Sequence, residues 1–218
     1  MADDGEIVLN FNNSLIRKSD VKLLQGKHWI NDIIIGFCFE YFEKEQFNHS
    51  ADKLAFISPN VTQFILLANG EELAVQLAPL GLPDRQYVFL AINDNLSFDE
   101  AGGSHWSLLV YVRSKQEFQH YDPLNGSNKH IAKQLAYKLQ PHVHAPMGRM
   151  KIIEMDGPQQ KNGYDCGVFV IAMAEHLCRE FCEHYSISIN DMVTSESVVK
   201  KRQQLHDLIY QVAKEFAV

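Results

Sequence analysis

The sequence predicts an α+β fold, because helical periodicity at both ends of the chain encloses a middle rich in short β-branched and aromatic runs. After Trp29, the residues Ile34, Phe37, Cys38 and Tyr41 recur at i, i+3, i+4 and i+7. Near the C-terminus Leu205, Leu208, Ile209, Val212 and Phe216 repeat that spacing. Between them, residues 87–92 (YVFLAI), 106–112 (WSLLVYV) and 118–121 (FQHY) read as strands. The 218 residues, 46% hydrophobic and 22% charged, suit a single domain over 1–218 with 1–6 as a loose tail. A chain of this size buries roughly 70% of its unfolded surface, so it needs no disulfide or metal staple.

Taken in order, Ser19-Asp20 is expected to cap a short helix that Gly26 stops. Asn31 or Asp32 caps the helix after Trp29. Two helices fit within 60–80, broken at Asn69-Gly70. After the strand at 87–92, residues 93–104 are turn-rich and form a loop. The strands at 106–112 and 118–121 are joined by Arg113-Ser114-Lys115-Gln116, short enough for an antiparallel hairpin. Ile131, Leu135 and Leu139 place a helix within 127–140, and residues 149–155 form another strand. The segment after Asp165, CGVFVIAMAEHLCREFCEHY, is locally ambiguous: VFVI suits a strand, but the length of the run favours a buried helix.

Charge and cysteine usage narrow the functional classes. Lys plus Arg number 20 against 27 Asp plus Glu, a net charge of −7, which disfavours nucleic acid as a partner. No apolar run reaches the ~18 residues of a membrane helix, and MADDGEIVLN lacks the apolar core of a signal peptide. The expected setting is cytoplasmic and/or nuclear, with Cys38, Cys166, Cys178 and Cys182 reduced. The N-x-S/T triplets at Asn48 and Asn125 then read as chance matches.

The chemistry-bearing residues fall in the middle and after it. With the hairpin turn near Ser114-Lys115, residue 105 lies opposite about residue 124, so His105 and Asp122 emerge at the same end. A carboxylate there can hold an imidazole in one tautomer and stabilise its cation. Cys166 at a helix start gains thiolate character from the dipole and from a neighbouring imidazolium. Cysteine, histidine and an orienting carboxylate together make an activated nucleophile. Gln160, in PQQKNG, can donate to a developing oxyanion beside the Cys166 N–H.

Blander readings stand beside these. Cys166 could simply pack, His105 and Asp122 could be turn residues, and Asp94 or Asp99 could replace Asp122. Asp165 reads as an N-cap. His176, Cys178, Cys182 and His184 suggest zinc by spacing, but on one helix the histidines point away from the cysteines and no metal is expected. His142 and His144 read as incidental, and Lys200-Lys201-Arg202 as a solvated face.

His105-Trp106, Asp122 and then Gln160-Lys161-Asn162-Gly163-Tyr164-Asp165-Cys166-Gly167 resemble, in that order, the ubiquitin-like-protein protease family, which contains the SUMO proteases and the deneddylases. Trp29 to Ile35 resembles that family's W-L-N-D segment. Within the family the chain looks most like the deneddylases, through FLAINDN (89–95), GGSHWSLLVY (102–111), IGFCFEYF (35–42) and FISPNVTQFI (56–65). The loop 96–101 and the segment 141–150 match no fixed pattern.

The resemblance implies a papain-like cysteine protease fold of the adenoviral-protease type, a central mixed sheet flanked by helices. It implies His105 as general base, Asp122 as its orienter, Cys166 as nucleophile and Gln160 as oxyanion donor. Trp29 and Trp106 would line a narrow tunnel for the modifier's C-terminal Gly-Gly, which two indoles suit because glycine carries no side chain; their bland reading is core packing. Asp32 would face the modifier's tail, or cap its helix. The expected activity is a thiol isopeptidase that matures and deconjugates a ubiquitin-like modifier, the neddylation modifier first, as a monomer with no cofactor. The rivals are a SUMO protease, an acyltransferase and a catalytically silent modifier-binding module. The loop 93–104 is expected to close over the tail.

Overall fold

Residues 87–93 and 106–112 are apolar at almost every position because both faces of the sheet they build are covered. The computed structural model describes residues 4–68, 70–97, 100, 102–145 and 151–216. Five strands, β3 (Leu54–Ile57), β4 (Tyr87–Asn93), β5 (Trp106–Val112), β6 (Glu117–Tyr121) and β7 (Lys151–Glu154), lie in the order β3-β4-β5-β6-β7. The pairs β4–β5 and β5–β6 are antiparallel, and the outer strands β3 and β7 join parallel. The sheet is therefore mixed.

Strand alternation divides the core into two layers. On one face Phe89, Ala91, Leu108 and Val110 meet α2 (Asp32–Tyr41), α6 (Cys166–Glu183) and α8 (Ser195–Glu215). On the other Val88, Leu90, Leu109 and Tyr111 meet α3 (Pro59–Leu67), α4 (Glu71–Leu77) and α5 (Lys129–Leu139). Helix α6 is fully buried from Cys166 to Ala174, which is why its first half carries no charged residue; Glu175, Arg179 and Glu183 form a polar stripe only in its second half. Among the described residues, no helix is long and apolar enough to cross a membrane.

The structure corrects the N-terminal expectations. Residues 4–6 are not loose: Lys18 N–H donates to Glu6 O at 2.9 Å, Ser19 N–H donates to Asp4 O at 3.1 Å, and Lys18 and Lys22 pair with Glu6 and Asp4. Residues 1–3 lie outside the described residues. A hairpin absent from the sequence reading, β1 (Ile7–Phe11) with β2 (Ser14–Arg17), turns at Asn12-Asn13, where Asn12 has a φ of 48°. Asparagine tolerates that left-handed turn geometry. The short helix α1 (Lys18–Lys22) starts at least two positions earlier than a Ser19-Asp20 cap would set it. Arg17 is its N-cap, and Asp20 serves as the third helical residue, its carboxylate accepting the Arg17 N–H at 2.8 Å. Strand β3 was also missed; four residues are too few to show a period.

The remaining elements lie close to their expected places. Asn31, not Asp32, caps α2, its side chain accepting the Ile34 N–H at 3.1 Å. Of the expected break, Asn69 lies outside the described residues, and Gly70 has a φ of 65°. The β5–β6 connection is a 3-10 turn closed by Gln116 at a φ of 51°. For the strand at 149–155, residues 149 and 150 lie outside the described residues. A single-turn helix α7 (Ile189–Met192) precedes α8.

Candidate active site

The β5–β6 register pairs Leu108 with Tyr121 and Val112 with Glu117. Continued outward, it sets residue 105 opposite residue 124, so His105 and Asp122 leave the sheet at one end. His105 Nε2 meets Asp122 Oδ1 at 2.6 Å, and the two residues are only 3% and 5% exposed. Asp122 also accepts the Leu124 N–H on Oδ1 and the Asn128 N–H on Oδ2, each at 2.8 Å. Burial pushes this carboxyl upward, but these donors outweigh it and hold it below the ordinary carboxylate range. For His105, burial favours the neutral ring, yet hydrogen bonds to Asp122 and Cys166 and their charges raise it to about 9. The imidazolium is thus the resting form at neutral pH.

Cys166 is the first residue of the 18-residue α6 and is 3% exposed. Nε2 of His105 is taken by Asp122, and Cys166 stands close enough to raise the ring's basicity. The first-turn N–H groups of a helix lack intrahelical partners and carry its positive end. A cationic ring and a helix N-terminus thus meet at one sulfur. Of the alternative carboxylates, Asp94 grips backbone rather than ring: it accepts the Ser104 N–H at 2.6 Å and the His105 N–H at 3.0 Å. Asp99 lies outside the described residues.

The turn before Cys166 is built by its own polar side chains. Asn162 Oδ1 accepts the N–H groups of Tyr164 and Asp165 at 3.1 Å, and its Nδ2 donates to Asp165 Oδ2 at 2.7 Å. Gln160 N–H donates to Pro123 O at 2.9 Å, which ties this turn to the loop after Asp122. The Gln160 side chain donates one N–H to Asn162 O at 2.8 Å and retains a second donor. Among the described residues its buried Oε1 has no partner.

A groove of about 450 Å³ opens beside Cys166, with Trp29, Trp106 and Asp32 in its walls. Trp106 is 9% exposed and donates from Nε1 to Ile30 O at 3.2 Å. Trp29 is 51% exposed, yet its Nε1 donates to Gly163 O at 2.6 Å, which anchors the indole to the turn before the cysteine. Because Asn31 performs the capping, the Asp32 carboxylate is left for the groove. In the loop 93–104, Asp94 and Ser104 close the base, and Gln63 Nε2 donates to Ser97 O at 2.6 Å. Phe98, Asp99 and Ala101 lie outside the described residues.

Two glycines are required by space. A Cβ on Gly103, whose φ is 87°, would lie 1.8 Å from Asn93 Oδ1. A Cβ on Gly167 would lie 2.5 Å from Ile30 Cγ1 and 3.2 Å from Trp106 Cδ1. Gly167→Ala is therefore expected to push Ile30 and Trp106 off the groove wall and to destabilise the fold by about 1–3 kcal/mol. Thermal unfolding and turnover measured together check this; an unchanged Tm with full turnover would contradict it.

Sequence reasoning missed several residues that hold the site. Arg202 is not part of a solvated face: it is 6% exposed and its guanidinium donates to Asp165 Oδ1 at 2.7 Å, to Leu23 O at 2.9 Å and to His28 O at 2.7 Å. Lys201 pairs with Glu175, and only Lys200 makes an exposed pair, with Glu196. Asn128 also escaped notice, because its partners Asp122, His105 and Ser107 lie on other elements. The rival quartet is dispersed: Cys178 is buried, His176 stands edge-on to Tyr185 at 5.5 Å, and His184 ends α6 at a φ of 55°. Among the described residues, no group of three or more His, Cys, Asp or Glu side chains is placed to hold a metal.

Residues 28–215 match the Ulp1 protease family, C-terminal catalytic domain. Human sentrin-specific protease 8 is 46% identical over 210 residues, 96% of this chain and 99% of that protein. NEDD8-specific protease 1 of Arabidopsis thaliana is 36% identical over 180 residues, 82% of this chain and 78% of that protein. The C-terminal Ulp1 protease domain, solved in complex with Smt3, the yeast ortholog of SUMO, superposes with a TM-score of 0.71 at 22% identity, covering 95% of this chain and 88% of that one. The two chains share a fold.

Proposed function

This chain belongs to the Ulp1 protease family, and from that premise we propose that it is a thiol isopeptidase that cleaves after the C-terminal Gly-Gly of a ubiquitin-like modifier, NEDD8, from its precursor and from lysines. The observation that carries the reading is the meeting of Cys166, His105 and Asp122 beside a groove walled by two indoles. The names of the relatives at 46% and 36% identity support the choice of modifier.

In this reading the modifier's tail lies between Trp29 and Trp106, where side chains larger than glycine are excluded. The Cys166 thiolate attacks the terminal glycine carbonyl. The oxyanion receives the Cys166 N–H and the second N–H of the Gln160 amide. The His105 imidazolium gives its proton to the leaving lysine amine, and the now neutral ring takes a proton from the water that clears the thioester. Asp122 keeps the ring oriented through both steps. Asp32 faces the tail upstream of the two glycines and favours a polar or basic residue there.

The test is covalent capture by two C-terminal electrophilic probes, one made from NEDD8 and one from SUMO, with Cys166→Ala as control. A Cys166-dependent adduct with the NEDD8 probe alone is expected. An adduct with the SUMO probe alone would keep the chemistry and overturn the modifier, and no adduct with either would overturn the isopeptidase.

A further inference from the structure

Behind the Asp122 carboxylate runs a second chain of polar groups that the reaction above does not use. Asn128 N–H holds Asp122 Oδ2 at 2.8 Å. The Asn128 side chain donates to Ser107 Oγ at 3.2 Å and to His105 O at 3.4 Å. Ser107 Oγ meets His120 Nε2 at 3.0 Å, and His120 Nδ1 meets Glu154 Oε2 at 2.9 Å. Ser107 and His120 are 0% exposed and Asn128 is 1% exposed. The Glu154 side chain is 31% exposed, so the chain runs from the surface to the catalytic pair.

Hydrogen-bond accounting gives this chain one direction. The carbonyl of His105 can only accept, so the Asn128 amide must present its NH₂. Ser107 Oγ therefore accepts from Asn128 and passes its own hydrogen to His120 Nε2. His120 then carries a lone pair on Nε2 and a hydrogen on Nδ1, which goes to Glu154. This arrangement satisfies the Asn128 NH₂, the Ser107 hydroxyl and both ring nitrogens of His120.

Two observations set it apart from routine sheet packing. Ser107 and His120 share the sheet face lined by Leu109, Tyr111 and Phe118, where apolar side chains would pack without any such requirement. Asn128 is the N-cap residue of α5, and its side chain makes no cap hydrogen bond. Asparagine is among the strongest capping residues, worth about 1 kcal/mol in that role. Its side chain serves the catalytic pair instead.

We propose that Ser107, His120 and Glu154 are positioning residues for the reaction: through Asn128 they fix the rotation of the Asp122 carboxylate and hence the plane of the His105 ring. The proposal rests on the thiol-protease reading of Cys166. A carboxylate free to rotate would present Oδ1 to His105 for only part of the time, and the imidazolium beside Cys166 would weaken.

The variants are Ser107→Ala, His120→Leu and His120→Gln in the full chain. Gln can present an oxygen where Nε2 stood and so still accept from Ser107; Leu cannot. Two readouts are followed: turnover of a NEDD8 C-terminal fluorogenic amide, and the pH profile of Cys166 alkylation by iodoacetamide, which needs no modifier. Ser107→Ala and His120→Leu are expected to lower kcat by about 10-fold with KM unchanged, the scale of outer-layer ligand support elsewhere, and to shift the acid limb of alkylation to higher pH. His120→Gln is expected to recover most of both. If all three variants lower Tm but leave kcat and the alkylation limb in place, or if Gln and Leu behave alike, the positioning role is overturned. A wild-type protein that fails to turn over the amide, with variants that still show the shifted limb, would instead overturn the modifier assignment alone.

Discussion

Asp122→Asn lowers kcat by about 10³–10⁴-fold at neutral pH, the scale seen when the acid of a catalytic triad becomes an amide. Two features of this site make asparagine a poor substitute. Each Asp122 oxygen accepts a backbone N–H, from Leu124 on Oδ1 and from Asn128 on Oδ2. Either orientation of an amide therefore sets its NH₂ against another donor, leaving a buried N–H without a partner at a cost of about 1–3 kcal/mol. The second feature is charge. Burial alone drives His105 toward the neutral ring, and the bonds and charges of Asp122 and Cys166 raise it to about 9. Without the carboxylate the burial remains and much of the compensation goes.

The sign of the pH dependence follows from those directions. The His105 contribution to stability is complete below its ordinary 6.5 and is lost as pH rises through about 9. The Asp122 contribution is complete above its ordinary 3.8 and is lost as pH falls through its depressed folded value. The wild-type site thus stabilises the fold most between about 4 and 6.5, and its imidazolium persists to about 9. In Asp122→Asn the alkaline limb of kcat moves to lower pH. A loss under tenfold with that limb unmoved would show that Asp122 does not support the ring.

What the sequence made legible is what depends on local period. The hairpin register that brings residue 105 opposite residue 124 follows from alternation and a short turn, and the structure shows that same pairing in β5 and β6. The helix that begins at Cys166 was legible from the length of its apolar run. The hairpin of β1 and β2, and β3, were lost because each strand is too short to establish a period. Asn128 was lost for a different reason: its partners His105 and Ser107 are distant in sequence, and nothing in a turn such as NGSN announces a bond to another strand. Arg202 differs again, since a signal existed. It falls in phase with Val198, Leu205, Ile209 and Val212, all buried on α8. Read by phase rather than as one member of a basic triplet, it belonged to the inner stripe.

Arg202→Met is the variant with the largest expected effect on stability, a loss of about 3–5 kcal/mol, because it strands the Asp165 carboxylate in a buried site. The pair is closed off, with side chains 7% and 2% exposed, and among the described residues the Asp165 carboxylate keeps the Asn162 amide alone once the guanidinium is gone. For a chain of this length that loss corresponds to a fall in Tm of about 10 °C. The neighbouring Lys200 supplies the contrast: its partner Glu196 is fully solvated, and Lys200→Ala is expected to leave Tm in place. Adding Asp165→Asn to Arg202→Met should return part of the loss, since an uncompensated charge costs more than an absent pair. The loss should also reach the groove. Arg202 bonds His28 O and Leu23 O on one side and Tyr164 O and Asp165 on the other. It joins the segment that carries Trp29 to the turn that carries Cys166. With that joint removed, the Trp29–Gly163 bond is the remaining tie, so the fluorescence of an indole already half-exposed should shift to the red and KM should rise. A Tm loss without change in fluorescence or KM would confine Arg202 to the fold; a Tm within 2 °C of wild type, equivalent to less than about 1 kcal/mol, would mean that the Asp165 site admits water and that the ion pair is not closed.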